Sequence, residues 1–364
     1  MEAVAAVIRE WMDLGWRTAF GRVIDVQGFG GSSQVELFAM NELGNTAGGL
    51  LAGTLDEVVL PAARSVLAAP AHAGLQVVVG EVHGPTVIEA GLACGGTAHV
   101  LVQAADEVPR QFWTALVDQA PVALATVVEG PAAGPRALTI APAGAVHGSP
   151  VDGPADPAVP GVFGSLGDPV TDEDIRTTAL ALLADGMAAI RRIDSDRGTV
   201  LIEAVIPPPR LVVVGSGSLA DALVVQASLL GWPGQVASDI EEAHAALRWA
   251  GPSGAVVVLS HVPSLDAPAL AAAIDNEAFY LGALGSKRTQ AARTRRLEAR
   301  GVADRDIERI RGPVGLDLGG QTPALISLAV CAEILAVRTG RDAMPLRHRE
   351  GPIRPQMTGQ RLPR

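Results

Sequence analysis

The clearest pattern in the chain is a short unbroken apolar run, then glycines, then helical spacing. Leu211-Val212-Val213-Val214 precedes Gly215-Ser216-Gly217-Ser218-Leu219-Ala220, and Leu219, Leu223, Val224 and Leu230 recur at roughly helical intervals. A continuous apolar run bounded by glycines suits a strand buried on both faces. The spacing that follows suits an amphipathic helix. The same alternation continues downstream. It predicts strands at 211–214, 235–237, 255–259 and 279–281 with helical segments between them, hence a parallel sheet. A last helix is expected from Thr322-Pro323, an N-cap with proline at the first helical position, to Thr339, where Gly340 ends it.

The first half is more broken. A helix is predicted at 4–14, and strand-like alternation at 22–27 and 35–40, separated by Gly28-Phe29-Gly30-Gly31-Ser32-Ser33. Gly44-Asn45 is a turn signal. Ala47-Gly48-Gly49-Leu50-Leu51-Ala52-Gly53-Thr54-Leu55-Asp56 leads into a helix at 56–68, in which Pro61 is acceptable only near the start. Further strands are expected at 75–79, 99–103, 122–128, 137–140 and 199–205, and a helix at 108–120. Residues 142–169 are dense in Pro and Gly and read as a surface excursion. Thr171 is expected to cap a helix that runs to Arg191, with Asp172, Glu173 and Asp174 in its first turn as the macrodipole prefers. Pro207-Pro208-Pro209 reads as a stiff linker. The expected division is one domain at 1–206, a second at 207–346, and an unstructured polar tail at 347–364.

Composition narrows the function. Residues 1–206 hold 10 Arg against 24 Asp and Glu, whereas the remainder holds 18 Lys and Arg against 15 Asp and Glu. An acidic first half disfavours nucleic-acid binding. No uncharged apolar segment reaches membrane-spanning length, and Met1–Phe20 lacks the form of a signal peptide. The two cysteines, Cys94 and Cys331, make no disulfide framework and suit a reducing compartment. The expected setting is cytoplasmic.

Candidate chemistry gathers at glycine-rich turns. Gly215-Ser216-Gly217-Ser218-Leu219-Ala220 has the form G-x-G-x-x-A, which brings backbone N–H groups and a helix N-terminus onto a phosphate. A packed turn with no ligand reads equally well. Asp239 stands where a dinucleotide fold places a ribose-binding carboxylate; a solvated N-cap is the alternative. His261 ends the third strand of the second half, where parallel sheets bind ligands. Gly285-Ser286-Lys287-Arg288 opens a helix and is a candidate anion site, since cations at a helix N-terminus oppose the macrodipole and a bound anion relieves that cost. Thr322 follows a second glycine-rich approach to a helix, Gly312 to Gln321. Cys94, beside Gly95 and Gly96, is a candidate soft-metal or sulfur ligand. Cys331 reads as core.

Several motifs in one order resemble a known family, the xanthine dehydrogenase accessory proteins (XdhC/CoxI). They are Gly91-Leu92-Ala93-Cys94-Gly95-Gly96, Pro207-Pro208-Pro209-Arg210, Ser260-His261, Asp266-Ala267-Pro268-Ala269-Leu270, Tyr280-Leu281-Gly282-Ala283-Leu284-Gly285-Ser286-Lys287-Arg288, the run Gly312 to Pro323, and Ala332-Glu333-Ile334. The resemblance implies an α/β fold: a CoxI-type first domain and a Rossmann-like second domain. It implies a chaperone rather than an enzyme, one that binds molybdenum cofactor and assists its sulfuration and insertion into a molybdenum hydroxylase such as xanthine dehydrogenase. A sulfurtransferase is an expected further partner, and a homodimer the expected state. Cys94, also as the metal ligand, and the position of Thr54 would share in holding the cofactor. The alternative is an oxidoreductase or regulator binding NAD(P) or another nucleotide on the Rossmann-like half, with His261 as its one acid–base candidate, or a divergent non-catalytic paralogue.

The chain departs from that family at telling places. Thr54 stands where the family has a cysteine, and Gln34-Val35 where it has Pro-Arg. Ser218 replaces the histidine of the Gly-Ala-Gly-His turn, and Val262 replaces an aspartate. A threonine hydroxyl is a poor soft-metal ligand.

Overall fold

The computed structural model of the chain describes residues 1–27, 36–70, 74–82, 95–130, 137–142, 161–186, 188–195, 198–348, 350 and 360–361. The chain forms two compact units, Met1–Ile206 with Arg354–Arg364, and Pro207–Ile353.

The first unit is built on two sheets. Strands β1 (Thr18–Gln27), β2 (Phe38–Asn41), β3 (Thr46–Gly48), β4 (Gln76–Val82) and β5 (Gly96–Ala104) form an antiparallel sheet in the order β3-β2-β1-β5-β4. Strands β6 (Val122–Glu129), β7 (Ala137–Ile140), β8 (Val162–Ser165), β9 (Ala189–Ser195) and β10 (Gly198–Val205) form the other, in the order β9-β10-β6-β7-β8. The two-residue strand Gln360–Arg361 joins the edge of β9. Helix α1 (Glu2–Asp13) and helix α3 (Arg110–Val117) share a core with Phe20, Leu124 and Trp113. Helix α2 (Asp56–Ala68) covers the first sheet through Val59, Ala62, Ala63 and Val66. Helix α4 (Pro169–Ala184) covers the second through Ile175, Ala179 and Leu182.

A buried ion pair joins the two sheets. Arg22 of β1 donates from Nε to Glu203 Oε2 of β10 at 2.6 Å, and both side chains are almost fully enclosed. The same guanidinium donates from Nη2 to Thr126 Oγ1 and lies over the Phe20 ring. Ile24, Leu101 and Leu201 pack beside it.

Three local expectations are corrected. Asp168, not Thr171, caps α4: its side chain accepts from the Thr171 N–H, and Pro169 occupies the first turn. That helix ends at Ala184, and residues towards Arg191 turn into β9, whose β-branched isoleucines favour a strand. Pro61 sits beyond the first turn of α2, where it forgoes one ladder bond and the packed apolar face outweighs the loss.

The second unit is a parallel sheet. Strands β11 (Arg210–Val214), β12 (Gly234–Ala237), β13 (Gly254–Val258), β14 (Tyr280–Ala283) and β15 (Ile310–Arg311) lie in the order β12-β11-β13-β14-β15, every pairing parallel. Helices α6 (Ile240–Ala250), α7 (Pro263–Asp275) and α8 (Lys287–Glu298) share one core, and α9 (Asp304–Ile307) borders it. Helices α5 (Ser218–Leu229) and α10 (Pro323–Arg338) share the other with Leu211, Val213, Val257 and Tyr280. Two-faced burial explains why β11 and β13 read as unbroken apolar runs.

Replacing Arg22 by Met leaves the Glu203 carboxylate buried without its partner. The expected cost is about 3–5 kcal/mol. Arg22→Met with Glu203→Leu should recover most of it, because both charges are then gone. Urea unfolding of the two variants checks this; equal loss in both would mean that packing, not charge, dominates there.

Candidate functional site

The strand order of the second unit reverses at β11, whose neighbours are β12 on one side and β13 on the other. In open parallel sheets a crevice forms at such a point, outside the C-terminal strand ends. Five loops leave those ends here. The backbone stitches them together: Leu259 N–H donates to Val214 O at 2.8 Å, Leu284 N–H to Val258 O at 2.8 Å, and Val314 N–H to Ala283 O at 3.2 Å.

The first loop is the glycine turn. Gly215 has φ +123°, and a Cβ there would lie 3.1 Å from the Ser260 nitrogen. Gly217 is the N-cap of α5 with φ +103° and ψ −179°, a conformation open to glycine alone, yet nothing lies within 4 Å of its would-be Cβ. Close packing against the rest of the protein therefore falls at Gly215. Gly217 is needed for its dihedral angles and faces open space.

Asp239 and His261 are both exposed. Asp239 caps α6 through a 2.9 Å bond from the Glu242 N–H, and Glu242 reaches back to Ser238. Those two Ser238 bonds hold the Glu242 carboxyl below its ordinary range. His261 stands three residues past β13, at the entry to α7.

Ser286 caps α8, its hydroxyl accepting from the Thr289 N–H at 3.3 Å. Gly285 precedes it, and Lys287 and Arg288 occupy the exposed first turn. No ion pair joins either cation to another described residue. Behind them lies a buried network that the sequence reading missed. Arg293 donates from Nε to Asp266 Oδ1 at 2.6 Å, from Nη2 to Leu284 O at 3.1 Å, and from Nη1 to Gln290 Oε1. Gln290 Nε2 donates to Ala283 O and Gly285 O. The turn after β14 is thus held from below by side chains of its own helix.

Thr322 caps α10, accepting from the Leu325 N–H at 3.4 Å. The glycine-rich approach to it is anchored by Glu333, which accepts from Tyr280 Oη at 2.5 Å and from Gly315 N–H at 2.9 Å. Burial, then the bond to Glu333, pushes the Tyr280 phenol far above its ordinary value. Cys331 is buried in the core, and that burial pushes its thiol up to about 11.

In the first unit, Thr54 spends its hydroxyl on Leu51 O at 2.7 Å. Leu51, Ala52 and Gly53 have φ of +48°, +55° and +85°. Two non-glycine residues in the left-handed region cost on the order of 1–2 kcal/mol each. Glu36 helps hold the turn by accepting from the Leu51 N–H. A cavity of about 470 Å³ opens beside it, lined by Met1, Val4, Glu36, Leu37, Gly48, Gly49, Ala52 and Gly53. Gly95 and Gly96 lead into β5 and are half-buried. Cys94 and Gln34 lie outside the described residues. Among the described residues, no cluster of three or more His, Cys, Asp or Glu side chains is arranged to hold a metal. No described helix is long and apolar enough to cross a membrane.

The crevice therefore offers backbone donors and helix N-termini at α5, α8 and α10, a donor set suited to phosphate or another anion. It offers no soft ligand, since the Cys331 thiol is enclosed.

A parallel five-stranded sheet with glycine turns at its carboxyl edge defines a Rossmann-type domain. Residues 211–334 match the family described as the XdhC Rossmann domain. The likeness to that family is shown for residues 211–334 alone. The chain is 34% identical over 148 residues to the uncharacterized protein YqeB of Escherichia coli, covering 36% of this chain and 27% of that protein. It is 33% identical over 136 residues to the molybdenum cofactor insertion chaperone PaoD of Escherichia coli, covering 37% of this chain and 42% of that one. The matches thus span less than half of either relative. A solved structure described as a xanthine dehydrogenase from Bacillus halodurans shares the fold, with a TM-score of 0.50, 20% identity, and coverage of 93% of this chain and 96% of that one.

The geometry ranks the two turn glycines. Gly215→Ala and Gly217→Ala should each lose about 1–3 kcal/mol from backbone strain. Gly215→Ala should lose more, because its Cβ also presses on Ser260 and Leu259. Urea unfolding gives the order; a larger loss at Gly217 would contradict the described turn.

Proposed function

We propose that the chain is an accessory protein that binds molybdenum cofactor and assists its sulfuration and insertion into a molybdenum hydroxylase such as xanthine dehydrogenase. One observation carries the reading: the crevice of backbone donors belongs to a domain of the XdhC type, and a relative matched over 136 residues is named a molybdenum cofactor insertion chaperone. The cofactor here is cargo. Its phosphate suits the turns at Gly215–Gly217 and Gly285–Arg288 and the N-terminus at Thr322. Independently of those turns, the soft-ligand candidate of the first unit is Cys94, with Gly95 and Gly96 next in the chain and Thr54 at the position where the resemblance implies a second thiol. Thr54 already donates its hydroxyl to Leu51, so it is a weak substitute.

A second reading keeps the crevice and changes the ligand. The open space at Gly217 also suits a dinucleotide such as NAD(P). Asp239 would have to share its carboxylate between a helix cap and a ribose. Calorimetric titration of the intact protein with nucleotides decides; no affinity ends that reading.

Cofactor retention tests the first. Cys94→Ser should carry less cofactor per chain than wild type and activate an apo-hydroxylase less. Thr54→Cys should carry more, since two thiolates hold a soft metal better than one. Circular dichroism checks that the folds survive. Equal cofactor in all three proteins would remove Cys94 from the mechanism, and a wild type that carries none would favour a divergent paralogue.

A further inference from the structure

The cavity of the first unit is assembled from three pieces of chain: the start of α1, the approach to β2, and the turn after β3. Its volume of about 470 Å³ lies within the roughly 300–1,000 Å³ of small-molecule pockets. Met1, Val4 and Leu37 give it apolar walls, and Gly49 and Gly53 give it a surface of bare backbone. Gly53 needs glycine for its φ of +85°, but Gly49 is not in the left-handed region. A Cβ on Gly49 would meet nothing closer than the Gly53 nitrogen, at 3.6 Å. Neither strain nor packing within the protein calls for a glycine there; a flat ligand lying on the backbone does.

Among the lining side chains only Glu36 is charged. Its Oε2 accepts from the Leu51 N–H, and its Oε1 has no partner among the described residues. The next peptide along, with the Ala52 N–H, has none either, whereas the Gly53 N–H is spent on Leu50 O at 3.0 Å. A carboxylate oxygen and a backbone donor thus stand beside one another at the cavity wall. That pair narrows the ligand. An anion would meet Glu36, and no Lys or Arg lines the cavity to offset it. Asp56, behind Gly53, adds a second carboxylate: its Oδ2 lies 3.5 Å from the place a Gly53 Cβ would take. A hard metal ion takes about six oxygen ligands, which apolar walls do not supply. A simple ammonium would leave the Ala52 N–H without an acceptor. What fits is a flat group that presents N–H donors and a carbonyl oxygen along one edge.

We propose that this cavity receives an aminopyrimidinone ring, the edge that guanine and the pterins share. The ring N–H and the exocyclic amino group donate to the Glu36 carboxylate, and the ring carbonyl accepts from the Ala52 N–H. A carboxylate has lone pairs enough to take two such donors while it keeps the Leu51 N–H. Bonds to an ionised acceptor are the stronger kind, so Glu36 carries most of the selectivity. The flat face of the ring lies on the backbone at Gly49 and Gly53, against the apolar walls. For a pterin, the proposal rests on the cargo reading above; for a guanine nucleoside it does not.

Calorimetric titration of the intact protein with guanosine and with unsubstituted pterin tests the proposal. Neither probe carries phosphate, so the glycine turns of the second unit do not contribute. At least one probe should bind with a Kd of about 100 μM or tighter, and which one binds identifies the source of the ring. Inosine, which lacks the amino group, should bind at least about tenfold more weakly than guanosine or pterin, whichever binds. Glu36→Gln keeps an acceptor for the Leu51 N–H and should also lose about tenfold or more. Gly49→Leu fills the cavity and should abolish binding, with an unchanged circular dichroism spectrum. Should both variants misfold, the inosine comparison on the wild type decides alone. No binding of either probe, inosine bound equally well, or a folded variant that binds like wild type overturns the proposal. A protein that binds neither probe yet loses cofactor on Cys94→Ser keeps the cargo reading and loses this one; a protein that carries no cofactor yet binds guanosine does the reverse.

Discussion

The arrangement of the crevice depends on a single buried ion pair, Arg293 with Asp266. Helix α8 is rich in arginine and threonine and has little apolar surface with which to seat itself; Leu297 is its buried apolar anchor. Arg293 does the rest. One guanidinium meets the Asp266 carboxylate on α7, the Gln290 side chain one turn earlier, and the carbonyl of Leu284. Burying two charges is costly, and such a pair is weak as a source of stability when compared with apolar packing. Its value lies in direction. The guanidinium is planar and its donors are fixed, so it sets the angle between α7, α8 and the strand-end turn in a way that leucines would not. The N-terminus of α8, with Ser286, Lys287 and Arg288, inherits that angle.

Glu333 plays the matching part on the other side of the sheet. It joins the phenol of β14 to the backbone of Gly315, and Arg311 of β15 lies 3.7 Å from its other oxygen. The segment before α10 has several glycines and few side chains that could pack, so a hydrogen bond to its backbone is the main means of ordering it. The turn after β14 is thus held from beneath by Gln290 and Arg293, and the segment before α10 by Glu333. At the turn after β14 these bonds end on carbonyl oxygens, so they use up no backbone N–H there.

What the sequence discloses follows from this division of labour. The parallel sheet was legible because strands buried on both faces must be apolar throughout, and 211–214 and 255–258 are. The cap at Thr322 was legible, since a short polar side chain before a periodic stretch has a local reason to be there; at Asp239 a cap was the alternative to a ribose contact, and Ser286 read as part of a helix-opening turn. The buried pairs were not legible. Arg293 sits among Arg295 and Arg296 in a helix that looks solvated along its whole length, and nothing local distinguishes the one that turns inward. Arg22 and Glu203 are 181 residues apart, and each reads as an exposed residue of a strand. Asp168 was passed over for Thr171 because both residues suit a cap, and only the proline at 169 argues for the earlier one. Small strands such as β3, β8 and β15 are set by their neighbours and not by their own residues.

The departures at the glycine turns acquire a physical sense in the structure. Ser218 stands in the first turn of α5, next to Gly217, whose would-be Cβ meets open space; against the histidine that the resemblance implies there, a serine offers a hydroxyl and no imidazole. Thr54 keeps its turn, bonding the carbonyl of Leu51 across a left-handed backbone that contains two non-glycine residues. A cysteine there would give up most of that bond, because a thiol is a weak donor, and gain a soft ligand in return. Frame and chemistry are therefore separable in this chain. The frame is maintained by backbone hydrogen bonds and buried carboxylates that tolerate change at the rim. The rim itself is made of a few side chains, Ser218 and Thr54 among them, that the frame does not depend on.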